Sequence, residues 1–340
     1  MLVKASVFEL YTTFTRFALV LDFHRMRENE INSLYQEYGP VVRIAPNHVS
    51  IAEKTALPII YGHGVTAYDK SDFYKEFIAN SPSVFSAIDR RTHARKRRIV
   101  SQAFSADALR KFAPFVSKAL EALVWKLNDI SATKAEIDIV SWLNYLTFDV
   151  LSDLAFGEAI GMIANGNDVV SVCRSDGIID RENAVELVDG REHLAAVLGI
   201  DSTFSWISKW IPDPFLFRGR QSSSGLADFA RRNVMQRLQS GNSRGDILDR
   251  ILQAQMREFG SMSLTKDQLT EVIAETITLL SAGSDTTATS VTALIFLVLS
   301  DHEIHSKLRA ELDQRIGVGN LPTYDEVKDL PYLQAVIDER

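Results

Sequence analysis

The chain has 340 residues, with 37 Lys and Arg against 44 Asp and Glu, a formal net charge of -7, 46% hydrophobic residues and 24% charged ones. Those proportions are globular and allow a large core; they exclude a disordered chain and a surface built as a whole for polyanions. The single cysteine, Cys173, excludes an intramolecular disulfide and a cysteine-based zinc cage.

Met1 to Phe23 is interrupted by Lys4, Glu9, Arg16 and Asp22, so it reads as neither an anchor nor a signal peptide. Val41 to Ala45 and Val49 to Ala52 flank Pro46-Asn47-His48, the pattern of two short strands joined by a turn. Helical periodicity then dominates. Asp107 to Leu127 and Val140 to Phe156 repeat apolar residues at spacings of three and four. Loops are expected near Gly157 to Gly166, Ile211 to Pro214, Gln221 to Gly225 and Gly241 to Gly245. Thr265 and Gln268 fit a capping box that opens a helix running to about Leu299. At ~1.5 Å per residue that helix would be roughly 50 Å long, which implies a central, buried element. A helix from His302 to Ile316 follows, and another starts near Leu330. No segment is read as long and apolar enough to span a bilayer; the best, Val291 to Leu299, continues a helix that carries Glu275 and Asp285. The chain as written therefore reads as soluble.

Two stretches carry chemistry. In Asp89 to Arg98, Asp89 is placed to cap a helix whose opening turns hold six cations: Arg90, Arg91, Arg95, Lys96, Arg97 and Arg98. Cations there oppose the helix dipole, and the cost calls for a compensating anion. A solvated basic face is the plain alternative, expected for most of the six. His93 and Arg97, four apart on one face, stand apart from the rest.

The second stretch is Ser281-Ala282-Gly283-Ser284-Asp285-Thr286-Thr287, in mid-helix. Glycine, an acid and hydroxyls are poor choices there, and a helix that tolerates them is expected to bend or open. Gly283 would let a flat ligand or a diatomic molecule approach the backbone, while Thr286 and a neighbouring acid relay protons through water. Equally open is a small-residue face on which another helix packs closely. There is no G-x-G-x-x-G, P-loop, H-E-x-x-H or G-x-S-x-G, so nucleotide, zinc-protease and hydrolase readings lack support. Cys173 reads as a plain, semi-buried cysteine.

Five segments in order carry a resemblance to a known family. They are Tyr38 to Asn47, Tyr61-Gly62 with Lys70 to Tyr74, Phe85 to Ser105 with His93 and Arg97-Arg98, Ala282 to Thr286, and Leu330 to Glu339. From about Ile31 to Arg340 the chain resembles a cytochrome P450, in particular the fungal-type members that tailor secondary metabolites. The resemblance implies a mainly α fold with a small β-sheet near the N-terminus, one partial P450 domain over residues 1–340. It implies a monooxygenase that uses haem, a lipophilic small-molecule substrate, NADPH-cytochrome P450 reductase as electron donor, and the endoplasmic reticulum membrane as location. No nucleic-acid partner is expected. By the same resemblance Asp285 and Thr286 form the proton-relay pair. Ala282 and Gly283 border the oxygen pocket, His93 and Arg97 hold the haem propionates, and Glu339 is the structural glutamate of an E-x-x-R pair.

The family's F-x-x-G-x-x-x-C-x-G loop is not among the 340 residues, and Cys173 lacks its context. In that family a cysteine thiolate holds the iron. A chain ending at Arg340 is accordingly expected to bind haem poorly, not to activate oxygen, and to expose Ile295, Phe296, Val298 and Leu299. No metal ligand is assigned. The competing readings are a P450 remnant without catalysis and a helical binding module whose basic helix docks on an acidic partner or nucleic acid. Substrate contacts are placed in Thr66 to Ser83 and Asp201 to Phe217.

Overall fold

Polar caps cut the chain into helices. The computed structural model describes residues 27–45, 48–62, 68–173, 177–200, 202–260, 263–317, 319 and 321–338. Helix α1 (Arg27–Tyr38) precedes strands β1 (Val41–Ala45) and β2 (His48–Ile51), which pair antiparallel with Val41 opposite Ile51. Helix α2 (Ala56–Tyr61) and a 3-10 turn (Asp72–Phe77) lead to α3 (Arg90–Ser101). Then come α4 (Ala106–Ala132), α5 (Ile139–Phe156) and the short α6 (Met162–Asn165). The pair β3 (Val169–Cys173) and β4 (Ile179–Asn183) precedes α7 (Ala184–Gly199), α8 (Ser202–Ser208) and α9 (Pro214–Ser240). Last come α10 (Ile247–Phe259), α11 (Lys266–Ser300), α12 (His302–Ile316), α13 (Tyr324–Val327) and α14 (Pro331–Asp338). The fold is mainly α, as expected.

The ends follow from local chemistry. Ser105, Asp138, Asp213, Asp246 and Asp301 each accept a backbone N–H in the first turn of the helix they open, satisfying donors that otherwise have no partner. Thr265 and Gln268 form the capping box of α11, and Pro214 occupies the first turn of α9. Asp149, on α5, accepts the N–H groups of Gly161, Met162 and Ile163 at 2.7, 2.9 and 3.0 Å and so fixes the start of α6.

Helix α11 lies against α5, with α9 and α10 also touching it, and α9 pairs closely with α7. One core runs through these elements and includes Phe148, Phe156, Val172, Leu226, Ile251, Val272, Ile277 and Leu280. Burying each such side chain is worth roughly 1.5–3 kcal/mol, so this seam dominates the fold's stability.

Three expectations are corrected. Gln221 to Gly225 is not a loop but lies inside α9. Its small residues make a seam with α7: a Cβ on Gly190 would stand 2.5 Å from the Ser222 Oγ, and one on Gly225 2.9 Å from a Leu187 methyl. Tertiary packing overrides the local turn preference there. A second antiparallel pair, β3 with β4, was not foreseen; the alternating burial of Val169 to Cys173 is its mark. Helix α11 is by length and composition apolar enough to cross a membrane, and most of its apolar stretch is not buried. The apolar run beyond Ala288 outweighs the single charge of Asp285. Phe296 and Leu299 on it are exposed, and Ile295 and Val298 are half-buried.

Candidate functional site

Helix α3 is fastened by its own charges. Asp89 accepts the backbone N–H and the hydroxyl of Thr92, both at 2.8 Å, and these bonds hold its carboxyl below the usual range. Arg95 makes a two-pronged pair with Glu271 of α11, at 2.8 and 3.0 Å. The buried Lys96 ammonium lies 3.2 Å from Glu271 and 3.6 Å from Glu275. Arg90 pairs with Asp69 at 2.6 Å, and Arg98 with Glu258 of α10. Both Glu275 oxygens accept the Val84 N–H at 3.0 Å. Burial works to raise the Glu271 carboxyl, but the bonds from Arg95, then Lys96 and Gln255, outweigh it, and the group titrates low. At Glu275 burial wins over Val84 and Lys96, and its carboxyl titrates high.

Four of the six cations, Arg90, Arg91, Arg97 and Arg98, lie on an exposed face, as the plain alternative expected, while Arg95 and Lys96 turn inward onto α11. Four of the six nonetheless pair with acids of this chain: Arg95 and Lys96 with α11, Arg98 with α10, and Arg90 with Asp69. Arg91 and Arg97 have no carboxylate partner among the described residues. His93 is half-buried; desolvation, then the charges of Lys70 and Arg97, push its imidazole pKa down. His93 and Arg97 thus do lie close enough to feel each other, and that electropositive edge lacks an acid.

Ten residues beyond Glu275, about 15 Å along the helix axis, stands the acid–alcohol stretch. The helix runs through it without interruption, contrary to the expected opening. Hydroxyls are absorbed by carbonyls one turn back: Ser284 donates to Leu280 at 2.6 Å and Thr286 to Ala282 at 2.5 Å. Ser281, Ser284 and Ala288 face the core, while Ala282, Asp285 and Thr286 are exposed together. A Cβ on Gly283 would stand 2.9 Å from a Leu151 methyl of α5, so its missing side chain admits a helix neighbour. Of the two readings left open for the stretch, close packing accounts for Gly283. Asp285 and Thr286 stay available on the other side. Asp189 of α7 titrates high, from desolvation and then the charge of Asp285, so a second acid approaches this face.

Glu339 lies outside the described residues. Among the described residues no cluster of His, Cys, Asp and Glu forms a metal site, and Cys173 sits half-buried on β3 outside any disulfide. Two surface clefts, one beside Arg250 and Arg257 and one beside Arg237 and Arg244, are lined by none of the expected site residues. The sequence did not reveal that Glu271, Glu275 and Lys96 meet in one buried cluster. The signal available was two acids four apart in an otherwise apolar helical stretch.

Comparison with known proteins follows the same direction. A family model described as Cytochrome P450 matches residues 11–340. The chain is 35% identical over 340 residues to "Benzoate 4-monooxygenase bphA" of Aspergillus niger, covering 96% of this chain and 65% of that protein. It is 29% identical over 350 residues to a "Cytochrome P450 monooxygenase" of Aspergillus terreus, covering 97% and 66%. With "Averantin hydroxylase" of Dothistroma septosporum it shares 27% over 321 residues, covering 94% and 55%. The chain spans about two thirds of the length of the first two relatives or slightly less.

Proposed function

The chain belongs to the cytochrome P450 family, and we propose that it forms the distal part of a haem-dependent monooxygenase that oxidises a lipophilic small molecule in secondary metabolism. The observation that carries this reading is the pair of sites on α11. One end of that helix holds α3, whose Arg97 has no acid partner, and further along it Asp285 and Thr286 stand exposed side by side.

The residues fit the cofactor that the family implies. A cationic edge at His93 and Arg97, inside a helix whose other charges are mostly neutralised, suits the carboxylates of haem. When bound, haem supplies the redox chemistry, with electrons from a flavoprotein reductase. Thr286 keeps both lone pairs for a water while its proton is on the Ala282 carbonyl, and rotation about one bond turns that proton outward. Asp285, exposed one residue away, exchanges protons with solvent and resupplies the water. Ala282 leaves the space beside them open. Glu339 keeps its proposed structural role in an E-x-x-R pair. Benzoate and averantin, named for the relatives, bracket the substrates to test first, and the endoplasmic reticulum membrane is the proposed location.

The test uses the whole protein with reductase and NADPH. Thr286→Val and Asp285→Asn are each expected to lower turnover by about 100-fold while haem content is unchanged, the loss typical of a missing proton donor. Turnover unaffected by both would refute the relay.

A further inference from the structure

Helix α10 packs against α3 and against the 3-10 turn Gln102–Phe104 that follows it. Beside this junction lies a cleft of about 280 Å³, open to solvent and lined by Gln102, Ser105, Arg250, Gln253 and Arg257. Arg250, Gln253 and Arg257 are spaced three and four apart and so share one face of α10. Gln102 and Ser105 line the cleft from the neighbouring segment, where Ser105 caps α4. In a chain with a net charge of -7, this cleft is lined by two guanidiniums and by no acid.

Arg250 is held in place by its own chain. Its Nε donates to the Gly245 carbonyl at 3.2 Å, its guanidinium stands 5.8 Å from the centre of the Phe112 ring, and a terminal nitrogen lies 3.6 Å from Asp107. That acid is a weak counter-charge, because Lys111 holds it more closely, at 3.0 Å. Arg257 is exposed and has no carboxylate partner among the described residues; Glu258 beside it pairs with Arg98. The Ser105 hydroxyl oxygen accepts the Ala108 N–H at 3.2 Å, which leaves its own proton to donate. Gln102 and Gln253 are exposed and add amide donors. The start of α4 contributes the positive end of a helix dipole. Every side chain that lines the cleft can therefore donate.

We propose that this cleft binds a phosphoryl group, free in solution or carried on a lipid headgroup. Donors arriving from two segments suit the three terminal oxygens of a phosphate monoester better than the two of a carboxylate, and guanidiniums meet such oxygens two-pronged. Arg250 is already ordered, which lowers the cost of binding, while Arg257 reaches the anion from the rim. Asp107 stays with Lys111 and does not compete for Arg257.

The experiment is a calorimetric titration of this chain with inorganic phosphate at about pH 8, where phosphate is mostly a dianion. A parallel flotation assay uses vesicles of phosphatidylcholine, with and without phosphatidic acid. Arg257→Gln removes a side chain with no carboxylate partner and should leave the fold intact by circular dichroism. It is expected to weaken binding at least about fivefold, the worth of one charge at ~4 Å in a water-like medium. Gln253→Glu, which places a carboxylate in the cleft, should weaken it as much or more. Arg91→Gln removes an exposed cation outside the cleft and should change nothing. Binding of inorganic phosphate that depends on Arg257 and Gln253 identifies a soluble phosphoryl ligand. Binding confined to the phosphatidic acid vesicles, with the same dependence, identifies a lipid headgroup. A chain that binds neither, or that binds as well after both cleft substitutions, overturns the site. So does a loss as large for Arg91→Gln as for Arg257→Gln, which would mean general attraction to a basic surface.

Discussion

Lys96 is the most exacting test of how α3 is held, because its side chain is only 2% exposed and it faces two carboxylates. Lys96→Met keeps the volume of the stem and removes the charge. Glu271 retains Arg95, at 2.8 and 3.0 Å, but Glu275 is left with the Val84 N–H alone. Leaving a buried charge without its partner typically costs about 3–5 kcal/mol. Glu275 has an escape, since its carboxyl already titrates high and loses its cation in the variant, so it can take up a proton. A group whose folded pKa lies above its unfolded value contributes stability that is full below the unfolded pKa and lost as pH rises through the folded one. The cost of Lys96→Met should therefore grow as pH rises above the ordinary carboxylate range, by up to about 1.4 kcal/mol for each pH unit between the folded pKa of Glu275 in the wild type and its still higher value in the variant. Glu271, which titrates low, changes stability only near and below the ordinary carboxylate range, outside this window. Urea unfolding followed by circular dichroism at several pH values measures the effect. Adding Glu275→Gln to Lys96→Met should flatten the pH dependence, because the amide oxygen still accepts from Val84 and carries no charge. A Lys96→Met curve parallel to the wild type, or a loss below about 1 kcal/mol at pH 8, would refute the account.

Four further outcomes follow from local contacts. Asp149→Ala removes the acceptor of three backbone N–H groups at Gly161, Met162 and Ile163, and thermal or urea unfolding should show a loss of about 3 kcal/mol. Gly219→Ala should cost about 1–3 kcal/mol by overpacking, since the new methyl meets the Leu194 Cβ at 2.7 Å, an atom that cannot swing away. Gly283→Ala should change stability by under about 1 kcal/mol in the same assay, because it meets only the mobile end of Leu151 and gains helix propensity. His93, whose pKa is held down by desolvation, Lys70 and Arg97, withdraws a little stability as pH falls through the ordinary histidine range; His93→Gln should remove that slope.

What could be read from the chain was what local chemistry writes in a few residues. Thr265 with Gln268 and Asp89 with Thr92 satisfy donors within one turn, so the starts of α11 and α3 were visible as spacings. The Asp285–Thr286 pair was visible because acid and alcohol disfavour helix interiors wherever they occur. Ser222 and Gly225 use the same residue types for a different end: they let α9 approach α7, and nothing within α9 distinguishes a turn from such a seam. The charge network lies further from reach. Arg95 and Glu271 are 176 positions apart, and Val84 and Glu275 are 191 apart, so each alone resembles an ordinary surface charge or loop amide. Only where the folded chain brings α3 against acids of α11 and α10 is it decided which cations are neutralised, and that Arg97 is left with no carboxylate partner among the described residues.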